Sequence, residues 1–365
     1  MTRYEISSQA KGGAYPDGVT YYLRDTVRQA EAIVVPELGC NCVEFRTTPD
    51  GDPIPADSAH VVDVFVPPSN VSGLRDVPFT GGNPILFPFP NRVRDGVYGF
   101  EGQTYLMDRL MATGWDKGAG QAIHGLVADK PWTVTEAFAD DGAAVLHSIL
   151  QIDAFPDIVE QYPFPCLLEV RYTLRDGQLT MRTTVQNTGD KTLPMGFGIH
   201  PWFPARLRPD VRLPAGLATI TMAQRAGSQV HVPADATWEL KDLMPTGSVV
   251  PVEGGQYDLR AFAPLANHFF DDVFTRVRRR ADGWSEGGLR DPDTGLEMFM
   301  EADDKFREWV LYAPLDAPVI ALEPYTCATD AVNLQAKGIE AGLIALPPGE
   351  TWTGEIRFGL RHASA

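Results

Sequence analysis

Residues 167–187 read LLEVRYTLRDGQLTMRTTVQN. Leu168, Val170, Tyr172 and Leu174 alternate with polar neighbours, Asp176-Gly177 interrupts, and Leu179, Met181, Thr183 and Val185 alternate on the return. Period-2 alternation on both sides of Asp-Gly predicts an antiparallel hairpin, because that dipeptide accepts the positive φ values a tight hairpin turn demands. The same pattern recurs outward from this stretch. Trp132 to Phe138 and Val145 to Ile152 flank Asp140-Asp141-Gly142. Asp95-Gly96 lies within Val93 to Phe100, and Glu101-Gly102 follows it. Further strand-like runs are Ala32–Val35, Val61–Val66, Ile220–Met222, Leu296–Met300, Trp309–Tyr312, Val319–Leu322 and Ile356–Leu360. Short helices are expected only over Leu23 to Ala32 and Asp330 to Lys337. The 34 glycines and 30 prolines sit mostly between strands, where turns need them. This pattern predicts an all-β, layered antiparallel architecture, counted as a single domain over residues 1–365.

Composition excludes several classes. A hydrophobic content of 44% and a charged content of 22% are those of a folded globular chain. The formal net charge of -17 opposes phosphate backbones and anionic membranes, so neither nucleic acid nor membrane is expected as a partner. Oligomeric state is not legible. Cys40, Cys42, Cys166 and Cys327 lack a second pair at metal spacing, so zinc is not expected. The opening MTRYEISSQAKGGAYPDG has no apolar core of a signal peptide, and no apolar run approaches the ~18 residues of a membrane helix. Reduced thiols in a cytoplasmic protein are the expectation, and the sequon at Asn70-Val71-Ser72 would then go unused.

The chain has no G-x-S-x-G elbow, no H-E-x-x-H and no Walker A sequence. Near Gly118-Ala119-Gly120 a dinucleotide fingerprint fails, because Ile123 stands at its third glycine.

Four segments instead carry chemistry. In GGNPILFPFPNR, residues 81–92, three prolines stiffen a ribbon that ends on Asn91 and Arg92. An amide and a guanidinium fork suit hydroxyl groups, and a solvated rim loop is the plainer alternative. In AIHGL, residues 122–126, His124 stands beside Gly125, which permits close approach to a ligand; a satisfied structural histidine is the alternative. In MGFGIHPWF, residues 195–203, glycines at alternate positions clear one strand face for a ligand or another backbone. His200, which titrates near neutral pH, follows that clearance, with Trp202 and Phe203 beside it; a buried aromatic corner is the alternative. In VIALEPYT, residues 319–326, an apolar strand runs into Glu323. That carboxylate is either a solvated strand end or a placed acid–base group. Phe270-Asp271-Asp272-Val273-Phe274 is a weaker fifth candidate, readable also as an exposed turn.

In order along the chain, these segments resemble the aldose 1-epimerase (galactose mutarotase) family. The resemblance runs from about Tyr21 to Phe358. It is carried by Phe87 to Arg92, His124-Gly125, His200 to Phe203, Asp271 to Phe274 and Leu322 to Pro324. It implies an antiparallel β-supersandwich, and interconversion of the α- and β-anomers of a free aldohexose such as galactose or glucose. Carried over, Glu323 is the base at the anomeric hydroxyl and His200 the acid at the ring oxygen. Arg92, Asn91, His124 and Asp271 are substrate-binding, with Asp271 preferred to Asp272 by its spacing to Phe274. No metal or other cofactor is implied. Trp202 stands where tyrosine is common in the family, and Leu126 where glycine or an aromatic is usual. Arg94 adds a cation that a hexose-6-phosphate would welcome, so a hexose-6-phosphate 1-epimerase is one alternative. A non-catalytic sugar-binding or sensing protein on the same fold is another. A glycoside hydrolase or lyase ranks lower, since glycosidases usually face the bond with two carboxylates.

Overall fold

The computed structural model describes residues 2–10, 15, 18–50, 60–68, 78–108, 120–209, 227–265, 268–315 and 317–364. The run at Ile220–Met222 and the sequon at 70–72 lie outside these residues. Strand makes up 52% of the described residues and helix 6%, so the fold is all-β. The hairpin that led the reading forms from Cys166–Arg175 and Gln178–Asn187, with Arg175 opposite Gln178. Asp176 and Gly177 take φ values of 52° and 77°, the double positive φ of a tight two-residue turn. Leu168, Val170, Tyr172 and Leu174 point into the core, as do Leu179, Met181, Thr183 and Val185. Thr133–Ala139 and Ala144–Gln151 form a second hairpin, whose turn amides at Gly142 and Ala143 donate to Asp140 Oδ1 at 2.7 and 3.0 Å.

One helix expectation fails. Residues 23–32 hold no helix; they fall in strands Thr20–Asp25 and Ala30–Val35, which pair with each other. The buried Asp25 decides this locally, because its Oδ1 accepts from the turn amides of Val27 and Arg28 at 3.2 Å each. Its carboxylate also meets Arg3, just before the neighbouring strand Tyr4–Gln9. The helix expected at 330–337 is present as Ala331–Ala336.

Among the described residues, antiparallel strands assemble into a five-stranded, a nine-stranded and an eight-stranded sheet, with three smaller pairs. The sheets meet over a shared core. Phe65 packs edge-on against Phe45 at 5.7 Å, Phe203 at 5.8 Å and Phe358 at 5.0 Å, and these rings come from three different sheets. Such edge-to-face pairs add to the burial of large rings.

The eight-stranded sheet positions the site. Its order includes Phe270–Val277, Glu308–Ala313, Val319–Tyr325, Gly198–Ile199 and Ile85–Leu86. One face, with Phe274, Trp309, Leu311, Ile320 and Leu322, belongs to the main core. Alternation sends the intervening residues to the opposite face. Asp271 lies opposite Tyr312, Tyr312 opposite Ala321, and Ala321 opposite Trp202, forming one row. Val273, Val310 and Glu323 form the next row. Glu308, Tyr325, Gly198 and Leu86 form a third.

Candidate functional site

A cleft of about 290 Å³ opens over this second face. That volume sits at the small end of the ~300–1,000 Å³ typical of small-molecule sites. Asn91, Arg92, His124, His200, Asp271 and Glu323 all line it, together with an apolar wall of Phe79, Ile123, Trp202, Phe269 and Tyr312. The six polar residues, from five separated segments, therefore converge on one space.

Each polar group is held by its local backbone. Strand Ala122–Ile123 pairs with Arg92–Val93, placing Ile123 opposite Arg92. Next to that pair, the His124 amide donates to the Asn91 carbonyl at 2.8 Å. Asn91 and His124 both adopt positive φ, 61° and 64°, an uncommon conformation that turns both side chains out of the ladder. Asn91 Oδ1 accepts from the Arg92 amide at 2.9 Å and from its guanidinium at 3.2 Å. Arg92 Nη2 also reaches Asp271 Oδ2 at 3.4 Å. Amide and carboxylate thus fix the orientation of the fork.

Two sequence expectations about glycine are corrected. Gly125 does not clear a path for a ligand. Its φ is 76°, and a Cβ there would overlap the Phe87 backbone, so this glycine serves close strand approach. Nor do Gly196 and Gly198 open the cleft. A Cβ at 196 would overlap Cys327 Sγ, and one at 198 would overlap the Tyr325 ring. Side chains, not ligand or backbone, occupy the space they leave.

His200 lies just beyond strand Gly198–Ile199 and just before Trp202–Pro204, both of which pair with Val319–Tyr325. Its amide donates to the Pro84 carbonyl at 2.9 Å. The Trp202 ring stacks on the imidazole at 5.0 Å between centroids, and the Trp202 indole N–H donates to the Phe79 carbonyl at 2.8 Å. His124 meets His200 edge-on at 5.1 Å. Glu323 is not a solvated strand end. It is 1% exposed, because its strand is covered on both faces. His200 Nε2 stands 3.6 Å from Glu323 Oε1, and Tyr325 donates its phenol proton to Glu323 Oε2 at 2.5 Å.

Burial dominates the electrostatics. It raises the Glu323 carboxyl well above its usual range, opposed by the Tyr325 hydrogen bond and by Arg92 and reinforced by Asp271. It lowers the His200 imidazole to about 4. It also lowers His124 well below the usual histidine value, and His200 and Arg92 push in the same direction. Burial therefore favours a proton on the Glu323 carboxyl over one on the His200 imidazole. Moving that proton to the imidazole creates an ion pair across 3.6 Å, with the Trp202 face available to the imidazolium.

Of the two neighbouring aspartates, Asp271 lines the cleft. Asp272 alternates to the other side, where burial raises it to about 6 near Tyr257. Arg94 is not among the residues lining the cleft; its Nε lies 3.7 Å from Asp330. Sequence reasoning passed over Phe79, Phe269, Tyr312 and Tyr325. Tyr325 could have been found by extending the period of two from Glu323, whereas Tyr312 enters the cleft only through its pairing with Ala321.

Comparison with known proteins places these features in a family context. A family model for aldose 1-epimerase matches residues 57–359. The uncharacterized protein YihR of Escherichia coli is 29% identical over 134 residues, 36% of this chain, and the match spans only 39% of its own length. The uncharacterized protein YphB of Escherichia coli is 24% identical over 279 residues, covering 74% of this chain and 81% of that protein. A galactose mutarotase-like protein from Clostridium acetobutylicum superposes with a TM-score of 0.81 at 19% identity, over 99% of both chains. Galactose 1-epimerase from Lactobacillus acidophilus superposes at 0.70 with 14% identity, over 100% of both. At these identities the superpositions establish the fold, which is the mutarotase-like antiparallel β-sandwich.

Proposed function

This chain belongs to the aldose 1-epimerase family, and from that premise we propose that it interconverts the α- and β-anomers of a free, neutral aldohexose such as galactose or glucose by acid–base ring opening. The observation that carries the reading is the 3.6 Å separation of His200 Nε2 and Glu323 Oε1 on the cleft floor. The anomeric hydroxyl and the ring oxygen are bonded to the same carbon, so their proton acceptor and proton donor must be neighbours.

In the forward step Glu323, as carboxylate, takes the proton of the anomeric hydroxyl. His200, as imidazolium, gives its proton to the ring oxygen. The C1–ring oxygen bond breaks as the C1 carbonyl forms, and the open chain rotates about C1–C2. Closure on the other face returns both protons. After opening, the carboxyl is protonated and the imidazole neutral, which is the arrangement burial favours in the unliganded site. The ionised pair that starts the cycle forms by one internal proton transfer, with Arg92 favouring the carboxylate. Transfers of this kind supply about 10²–10⁴-fold. No metal or cofactor enters these steps.

Arg92, Asn91, His124 and Asp271 are assigned to the sugar hydroxyls. His124 Nδ1 is buried with no hydrogen-bond partner among the described residues, a deficit that a hydroxyl would relieve. The aromatic wall suits the apolar face of a sugar ring. Arg92 is the only lysine or arginine among the described lining residues and already faces Asp271, which favours a neutral sugar over a phosphorylated one. A cytoplasmic location fits the four cysteines, all free and buried. No helix among the described residues is long and apolar enough to cross a membrane.

Polarimetry on freshly dissolved α-glucose and α-galactose tests the proposal. Faster approach to equilibrium than in buffer is expected, and it should be lost in His200→Ala. Saturable sugar binding without exchange would replace this reading with a binding protein. No acceleration with any common aldose would remove it.

A further inference from the structure

We propose that Tyr325 is a positioning residue for the proton-transfer pair: its phenol, seated in the space left by Gly198, holds one oxygen of Glu323 and turns the other toward His200. The assignment rests on the acid–base reading above. Tyr325 is fully buried, and its hydroxyl donates to Glu323 Oε2 at 2.5 Å while Oε1 faces His200 Nε2 at 3.6 Å. The two carboxylate oxygens therefore have different tasks.

The backbone links this contact to both partners. Gly198 and Tyr325 stand directly opposite each other across the ladder. Gly198 lies two residues before His200, and Tyr325 lies two residues after Glu323. A Cβ at 198 would overlap the Tyr325 ring, so the glycine is what admits the phenol beneath the carboxylate. Ring and glycine together set the register of the two strands that carry the acid and the base. Among the described residues, His200, His124, Arg92, Asp271 and Tyr312 are the titratable or charged groups that share the cleft with Glu323, and Tyr325, beneath the carboxylate, is the one shown donating a hydrogen bond to it.

A donor to the carboxylate favours the ionised form, and so favours the state from which ring opening starts. Removing it raises the affinity of Glu323 for its proton. That change has two linked consequences: the productive, ionised pair becomes scarcer, and the pair releases its last proton only at higher pH.

The test compares the full-length protein with Tyr325→Phe, reading anomer exchange of α-glucose and α-galactose against pH. The expected result is a fall in kcat of about tenfold with KM little changed, given the typical strength of a hydrogen bond to a charged group. The basic limb of the profile should move up by about one pH unit at the same time. A rate that falls with the limb unmoved, or a profile unchanged, would overturn the proposal, since loss of packing alone does not retune the carboxyl. The Glu323 carboxyl is followed in parallel by ¹³C NMR, its signal assigned by its loss in Glu323→Gln. If the intact protein fails to exchange anomers, the catalytic reading falls. The carboxyl titration then still decides the Tyr325 contact, by rising or not in Tyr325→Phe. Should Tyr325→Phe fail to fold, fluorotyrosine at position 325 keeps the ring and strengthens the donor. The titration is then expected to move down, and a midpoint that stays in place would overturn the proposal.

Discussion

Replacing Glu323 with glutamine separates two consequences of burying a carboxyl beside His200. Glu323 is 1% exposed, and burial holds its pKa well above the usual carboxylate range. A group whose folded pKa is raised contributes stability that is complete below its unfolded pKa and is lost as pH climbs through the folded value. Each unit of separation between the two values removes about 1.4 kcal/mol once the pH has passed it. Glutamine keeps a carbonyl for the Tyr325 phenol but does not ionise, so the variant escapes this loss. Glu323→Gln is therefore expected to match the parent in acid and to become the more stable protein as pH rises through neutrality. The advantage should grow as pH climbs above the ordinary carboxylate range. Its anomer exchange should fall by about 10²–10⁴-fold, the usual contribution of a general base. Urea midpoints measured at several pH values, with polarimetry on the same samples, provide both readings. Equal pH slopes of stability in parent and variant would refute the claim that burial raises this carboxyl. Retained exchange would refute its role as base.

Other outcomes follow from the same geometry. The acid limb of the rate profile should lie well below an ordinary histidine value, because burial lowers His200. The rate should fall in acid as His200 also protonates near its value of about 4, and in base as the Glu323 carboxyl gives up its proton, so an acid limb at an ordinary histidine value would contradict the site. Phe269, 52% exposed at the cleft rim beside Tyr312, should affect substrate affinity more than turnover. Phe269→Ala is expected to raise KM by about threefold to tenfold with kcat nearly unchanged, as steady-state kinetics would report. Gly125→Ala should cost about 3 kcal/mol in a urea unfolding curve, since it combines positive φ with overlap on the Phe87 backbone; a neutral substitution would disprove the close approach.

Much of the strand pattern was legible because alternation and turn chemistry are local properties. Asp176-Gly177 bends into the expected hairpin, and the residues alternating on either side all reach the core. Residues 23–32 misled because their short apolar spacing suits a helix turn as well as a strand. The choice was made by Asp25 capping a turn and by pairing with neighbouring strands. The glycines at 125, 196 and 198 misled for a different reason. A glycine announces that something must come close, and only the fold reveals whether that is a ligand, a backbone or a side chain.

For this protein, then, the amino-acid sequence alone determined the all-β class, the positions of most turns, and the ordered motifs that identify Asn91, Arg92, His124, His200, Asp271 and Glu323 as candidates. These follow from residue type and short-range spacing. Tertiary structure decided that the six share one cleft, because the cross-strand register of one sheet brings distant segments together. It also decided their protonation, since the shifts of His200 and Glu323 arise from burial under other strands. The place of Tyr325 beneath the carboxylate likewise depends on Gly198, a residue 127 positions earlier in the chain.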